Sequence, residues 1–270
     1  MNGGRALAGK RCALVLACVC CFTAGAVHCA ESAGSTPGVA AAGARQLSME
    51  SFAGLWEPID KTTRLLTLAG SEPPLNAKAQ RLYQAYQAAA AKGDRWFDTE
   101  EDCLPLGITR LMAESPFEMI VDRQRVALMF QWNRFFVHFA PRRSQHPKQY
   151  DYPNYNGHSI AYLRGDKLIL DSTYFTSDTV LDASGLPHSG RLHVVQSLAL
   201  EDKDTLVDTL TITDPGAFTS SWNAQLRMKR MPAGARLQED DCVVRKNLAY
   251  MHAHRRREAG LAALGLTDLE

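Results

Sequence analysis

The chain has 270 residues, and its 30 basic and 29 acidic side chains leave a formal net charge of +1. It has no long basic block and no basic stretch with interleaved aromatic residues. The pattern that binds nucleic-acid phosphates is therefore missing, and we expect no nucleic-acid partner. A chain of this length can bury one sizeable hydrophobic core.

The N-terminal segment has the three parts of a secretory signal peptide. Its positive charges are Arg5, Lys10 and Arg11. An apolar run over 12–22 and small residues at 24–26 follow, which predicts a signal peptide over residues 1–26 and a periplasmic or secreted protein. The run is shorter than the ~20 residues of a membrane-spanning helix, so we expect no integral membrane association. A lipoprotein attached through Cys18 is the alternative.

Residues 27–48 are small and polar and predict a flexible leader. Five of the seven cysteines lie before residue 30, so Cys103 and Cys242 alone belong to the folded part. In an exported chain, two cysteines far apart more often form one disulfide than two free thiols. We predict a Cys103–Cys242 disulfide, with a catalytic thiol as the alternative.

The first ordered elements are a strand and a helix. The string Gly54-Leu55-Trp56 resembles the Gly-x-Trp opening of lipocalin-like (calycin) barrels, which implies a Trp on the first strand that plugs one barrel end. Residues 73–92 predict the one N-terminal helix, because apolar residues recur at helical spacing and Gly93 follows. These apolar residues are Leu75, Ala79, Leu82, Tyr86 and Ala89.

Residues 95–112 show no periodicity and predict a loop anchored by Cys103. Four acids lie between residues 98 and 102 and are expected on a solvated face. Arg110, at the end of this loop, can hold a ligand carboxylate or form a structural ion pair.

From Pro116 onward the chain alternates β-favouring runs with turn residues. The predicted strands are 117–122, 125–132, 134–140, 158–164, 167–174, 192–200, 205–213, 221–230 and 235–244. So many short antiparallel strands predict a mainly β fold, an antiparallel lipocalin-like barrel or a two-layer sandwich. We assign residues 49–250 to a single barrel domain and 251–270 to a polar tail or short helix.

The hairpin of 192–213 predicts which side chains face inward. A four-residue loop over 201–204 places His193 and Ser197 on one face with apolar residues, and Ser197 opposite Asp208. An embedded polar pair must be satisfied internally or line a ligand pocket, because an unpaired buried polar group costs about 1–3 kcal/mol.

A second predicted hairpin brings two candidate catalytic residues close together. Gly165-Asp166 separates two β-favouring runs, and a two-residue turn there pairs Arg164 with Lys167. His158 then lies opposite Thr173 and diagonally from Asp171, within side-chain reach. This arrangement predicts an imidazole–carboxylate pair.

Several short sequence motifs resemble those of a family of secreted bacterial proteins. They are Cys103-Leu104-Pro105, Pro116-Phe117-Glu118, Asn156-Gly157-His158-Ser159, 165–173, Leu186-Pro187-His188-Ser189 with Leu192-His193-Val194, and Asp214-Pro215. Over residues 95–245 the chain resembles widespread secreted bacterial proteins of undefined function, which implies a β-barrel-like fold and no established reaction. Relatives often carry Gly-Phe where this chain has Tyr174-Phe175.

The histidines suggest acid–base chemistry, because imidazole exchanges protons near neutral pH and a carboxylate orients it. The candidate catalytic residues are His158, Asp171, His188 and His193. The candidate ligand contacts are Tyr155, Tyr162, Trp132, Trp222 and Arg110, with Phe130 and Phe136 as further aromatic walls. We expect a cofactor-independent lyase, isomerase or hydratase acting on a small, partly hydrophobic molecule in the barrel.

Three alternatives stay open. Two histidines and one carboxylate can bind a single Zn or Fe ion, although the spacing of His188 and His193 matches no standard metal signature. A non-catalytic small-molecule carrier needs the pocket without the histidine–aspartate pair. A partner-binding surface protein presents an exposed apolar sheet face instead. A serine hydrolase is disfavoured, because Ser189 has no nucleophile-elbow motif.

Overall fold

The computed structural model describes residues 47–122, 125–132, 136–141, 145–148, 152–238, 242 and 257–266, with backbone only at 136, 138, 140 and 141. Nine strands in this part close into a barrel in chain order. They are β1 (Gly54–Pro58), β2 (Phe117–Val121), β3 (Val126–Phe130), β4 (Phe136–Pro141), β5 (His158–Arg164), β6 (Lys167–Thr173), β7 (His193–Leu200), β8 (Thr205–Thr213) and β9 (Trp222–Arg230).

Neighbouring strands are antiparallel except β4 and β5, which pair in parallel over two residue pairs. Pairing of β1 with β9 closes the sheet, so the barrel prediction is confirmed and the sandwich alternative is wrong. Closure pairs the two outermost strands of the sheet with each other.

Trp56, which the resemblance to the lipocalin-like opening singled out, lies on β1. It is fully buried, and its Nε1 donates to the Phe52 carbonyl at 3.0 Å. The Arg230 guanidinium lies 4.1 Å from the ring centroid and donates to the Ala53 carbonyl at 2.8 Å. Gly54 makes this approach possible, because a Cβ there would lie 2.4 Å from Arg230 Nη1.

Two helices precede β2. The predicted N-terminal helix is α1 (Ala77–Ala90), and the Asn76 side chain caps it by accepting from the Ala79 amide. A second helix, α2 (Ile108–Glu114), replaces the loop predicted there. That prediction was wrong because α2 is two turns long and buries six of its seven residues, so it has no polar face to create a helical period.

The interior register of β7 and β8 differs from the prediction. Asp208 pairs with Leu198, so the predicted Ser197–Asp208 pair is wrong. The last ladder pair is Leu200 with Leu206, which makes the connection longer by one residue than predicted. A slip of one residue in this pairing moves every side chain of β7 to the opposite face of the sheet.

The C-terminal part contains one predicted strand that is wrong. Residues 235–238 lie outside any strand, because the Ala235 amide bonds the Pro232 carbonyl in a turn, and 239–244 lie outside the described residues apart from Cys242. The Cys103–Cys242 disulfide is confirmed, with a Cα–Cα distance of 5.6 Å. Residues 257–263 form a short helix, α3.

The predicted signal peptide and all but residues 47–48 of the leader lie outside the described residues. None of the helices in the described part is both long enough and apolar enough to cross a membrane.

Candidate functional site

The outer face of β5, β6 and β7 carries the candidate site. The predicted hairpin register is confirmed, with His158 opposite Thr173 and Ile160 opposite Asp171. Ser159 and Ser172 point into the barrel, where both are buried and their hydroxyls lie 2.7 Å apart. Because side chains alternate along a strand, His158 and Asp171 point outward and the site does not lie in the barrel interior.

Asp171 is the centre of a cluster of four side chains, His146, His158, Asp171 and His193, which we call the histidine–aspartate cluster. Asp171 Oδ1 accepts from His193 Nε2 at 2.7 Å and from His146 Nε2 at 3.2 Å. His146 Nδ1 lies 2.9 Å from His158 Nδ1. His158 thus contacts His146, which in turn contacts Asp171; a direct His158–Asp171 pair stays a prediction.

Sequence reasoning missed His146. It lies in the segment 145–148, outside the strands, and no motif around it indicated a contact with a hairpin that begins twelve residues later. Tyr174 connects this segment to the end of β6, since its hydroxyl donates to the Pro147 carbonyl. Tyr174 has a φ of 61°, a left-handed conformation that favours glycine, at the position where the resemblance expects Gly.

The cluster shifts the pKa values of its two outer histidines in opposite directions. The hydrogen bond to Asp171 raises the pKa of His193 despite partial burial. Burial lowers the pKa of His158, and the neighbouring charge of His146 lowers it further. Burial would raise the pKa of Asp171, but hydrogen bonds from His193 and His146 lower it. The carboxylate is therefore ionised at neutral pH.

Hydrogen-bond direction assigns the tautomers. A carboxylate only accepts, so His146 must carry its proton on Nε2. When His146 carries this one proton, it accepts at Nδ1 from His158 Nδ1–H, and the lone pair of His158 lies on Nε2. His193 uses Nε2–H toward Asp171, and when protonated it carries a second donor on Nδ1. In this arrangement His158 presents a lone pair and protonated His193 presents an N–H donor.

His188 lies apart from this cluster. It is buried, with Nδ1 donating to the Ser189 carbonyl at 3.0 Å and Nε2 2.7 Å from the Thr179 hydroxyl. Burial lowers the pKa of His188, so the ring is neutral and Nε2 accepts from Thr179. These contacts stabilise the loop before β7. They give His188, in the Pro187-His188 turn, a structural role.

Arg110 forms a structural ion pair instead of holding a ligand. Its side chain is 1% exposed and contacts Asp98 at 2.5 Å and Glu114 at 2.9 Å, with Glu100 as a third partner. Burial alone would raise the pKa of Asp98, but the Arg110 charge and the hydrogen bonds lower it.

The predicted aromatic contacts are mostly core residues. Trp222 is 5% exposed and packs against Phe218 with ring centroids 5.4 Å apart, while Phe130 is fully buried. Trp132 packs on the core from the rim. The Tyr155 carbonyl lies beside Gly107 at the start of α2, and the side chain of Phe136 lies outside the described residues.

Tyr162, one of the predicted ligand contacts, lines a cleft on the same hairpin as the cluster. This cleft of about 500 Å³ opens on β5 and is lined by Ile160, Tyr162, Leu163, Arg164 and Gly165. Ile160 is the ladder partner of Asp171. Arg164 Nη2 donates to the Tyr162 hydroxyl at 2.9 Å.

The barrel interior holds one further titratable group. Asp208 is fully buried, and its Oδ2 accepts from Gln196 Nε2 at 2.6 Å. Among the described residues, Asp208 Oδ1 and Gln196 Oε1 have no hydrogen-bond partner. Burial raises the pKa of Asp208 to about 7. Gln196 lies on the face of β7 opposite to Ser197, the residue that the sequence placed inside.

Within the described ranges, no three or more His, Cys, Asp or Glu side chains are arranged to hold a metal ion. The nitrogens of His146 face Asp171 and His158, so these donor atoms are directed at one another. Comparison of the chain with family models and curated proteins, and of the fold with solved structures, returned no match.

Proposed function

We propose that the protein is a cofactor-independent acid–base enzyme of lyase, isomerase or hydratase type, acting on a small, partly hydrophobic molecule beside the histidine–aspartate cluster. The observation that carries this proposal is that Asp171 binds two histidines, and the cluster's outer histidines have pKa values shifted in opposite directions. Environments that separate the pKa values of neighbouring groups are typical of acid–base pairs.

His158 has the features of the general base. Its lowered pKa keeps the ring neutral near pH 7, and Nε2 carries the lone pair in the tautomer assigned above. When Nε2 takes a proton from a C–H or O–H group, the Nδ1 proton can move toward His146 Nδ1. His146 is then an imidazolium beside the Asp171 carboxylate, which stabilises the charge.

His193 has the features of the general acid. Its raised pKa favours the protonated ring, and its side chain is 45% exposed, so Nδ1–H can reach a substrate. In an isomerisation, His158 removes a proton from the carbon next to a carbonyl, the C–H electrons form a C=C bond, and His193 protonates the carbonyl oxygen. When the first carbon also carries a hydroxyl group, the intermediate is an enediol. His158 then returns its proton to the former carbonyl carbon, and the hydroxyl on the first carbon gives its proton to His193 and becomes the new carbonyl.

Deuterium exchange tests this proposal without knowledge of the substrate. The protein is incubated in D₂O with a panel of small 2-oxo acids, 2-hydroxy acids and ketones, and C–H loss is followed by proton NMR. We expect exchange with at least one compound. His158→Gln and His193→Gln should slow it by about 10²–10⁴-fold.

The matched control is Gln225→Ala, an exposed residue on the outer face of β9, which should exchange at the wild-type rate. Full exchange in both histidine variants would remove the cluster from the mechanism. A panel that binds without exchange would favour the second candidate, a non-catalytic small-molecule carrier, which the cleft on β5 also supports.

We also propose that the protein works after export, in the periplasm or outside the cell. The Cys103–Cys242 disulfide supports this proposal, because disulfides persist in oxidising compartments. Mass spectrometry of the protein expressed in a Gram-negative host should find a chain that begins near residue 27. An intact N-terminus in the cytoplasmic fraction would contradict it.

A further inference from the structure

The outer face of the β5–β6 hairpin changes chemistry along its length. Paired residues of an antiparallel ladder share a face, so this face consists of four rows. From the turn to the cluster, the rows are Arg164 with Lys167, Tyr162 with Ile169, Ile160 with Asp171, and His158 with Thr173. The face is cationic at the turn, apolar in the middle and titratable at the cluster.

In the part of the chain that the structure describes, the two cations at the turn have no acidic partner. Arg164 and Lys167 are exposed, and neither forms an ion pair within the described part of the chain. The Arg164 guanidinium lies 5.6 Å from the Tyr162 ring centroid and bonds its hydroxyl, so it is directed back along the face toward the apolar row. Its planar fork fits a carboxylate with two parallel hydrogen bonds.

The middle of the face is shaped for an apolar body. Ile169 is already covered, at 2% exposure, so the apolar wall comes from Ile160 and Tyr162, which line the cleft of about 500 Å³. A bare inorganic anion would need the guanidinium but no apolar wall. The combination indicates a molecule with both an anionic end and a hydrocarbon part.

The spacing of the rows sets the length of that molecule. Tyr162 lies four residues beyond His158 on the same strand, which is about 13 Å at ~3.3 Å per residue. Because Arg164 folds back onto Tyr162, an anion held there lies roughly this far from the reacting nitrogen.

We propose that the ligand of this site is an elongated organic carboxylate, with its anionic end on Arg164, its apolar body along Ile160 and Tyr162, and its other end at the histidine–aspartate cluster. This inference rests on the proposed function only in taking the cluster as the reacting end.

Calorimetric titration at low salt tests the ligand class with three probes: octanoate, 1-octanol of equal length without charge, and butyrate. Octanoate should bind at least about tenfold more tightly than either of the others, because it alone has both parts. Arg164→Gln should weaken octanoate binding at least about tenfold and leave 1-octanol binding unchanged. The control Arg227→Gln removes an exposed Arg on β9 that pairs with Glu201 and should bind octanoate as the wild type does.

Equal affinity for octanoate and 1-octanol, or unchanged octanoate affinity in Arg164→Gln, would overturn the ligand class. The outcome is separable from that of the acid–base proposal. Arg164-dependent octanoate binding without deuterium exchange in any panel compound would keep the ligand class and reject the enzyme. Exchange restricted to uncharged ketones and insensitive to Arg164→Gln would keep the enzyme and reject the ligand class.

Discussion

Replacing Asp208 with Asn should abolish a pH dependence of stability that arises inside the barrel. Asp208 is fully buried, and within the described residues its one hydrogen bond comes from Gln196. Burial raises its pKa to about 7 from the ordinary 3.8. The folded state therefore keeps this proton to a higher pH than the unfolded state does, so stability falls as pH rises from about 4 to about 7.

The size of the effect follows from the shift. Each unit of pKa difference corresponds to about 1.4 kcal/mol, so this group lowers the free energy of unfolding by roughly 3 kcal/mol between pH 5 and pH 8. Asn keeps the shape and has no charge to bury. We therefore expect the wild type to lose about 3 kcal/mol more than Asp208→Asn over this interval.

Urea unfolding at pH 5, 6, 7 and 8, with the disulfide oxidised, measures the difference. Burial also raises the pKa values of Asp182 and Glu114, but both proteins contain these groups and their contribution cancels. Asp202→Asn is the control, because the pKa of this exposed acid is lowered and lies below the interval. Parallel curves for the wild type and Asp208→Asn would refute the reasoning.

Two further predictions concern the contact between Gly54 and Arg230 and the histidine–aspartate cluster. Gly54→Ala should lower the free energy of unfolding by about 2–3 kcal/mol in urea titration, since Gly54 has a φ of 129° and a Cβ would clash with Arg230. The control is Gly70→Ala, which has a φ of 76° and open space and should cost only about 1 kcal/mol. Equal losses of stability in the two variants would contradict the clash. Asp171→Asn should lower the pKa of His193 in an NMR titration, because the carboxylate bond that raises it is lost; an unchanged His193 titration would disprove that coupling.

Features that depend on local rules or on elimination could be predicted from the amino-acid sequence. The two-residue turn at Gly165-Asp166 sets the register of β5 and β6, because the turn length and the alternation of side chains leave one pairing. The Cys103–Cys242 disulfide followed because the predicted folded part has no other cysteine. Closure was predicted from the number of short strands alone.

Which side chains contact one another could not be predicted from the sequence, because it depends on the folded arrangement of the chain. One residue more in the connection between β7 and β8 turned Gln196 inward and His193 outward, because the side-chain period of a strand is two. His146 joined the cluster through a segment that has no period of its own, placed by contacts such as the one from Tyr174 to Pro147. Such contacts depend on packing between distant parts of the chain, so local sequence patterns do not predict them.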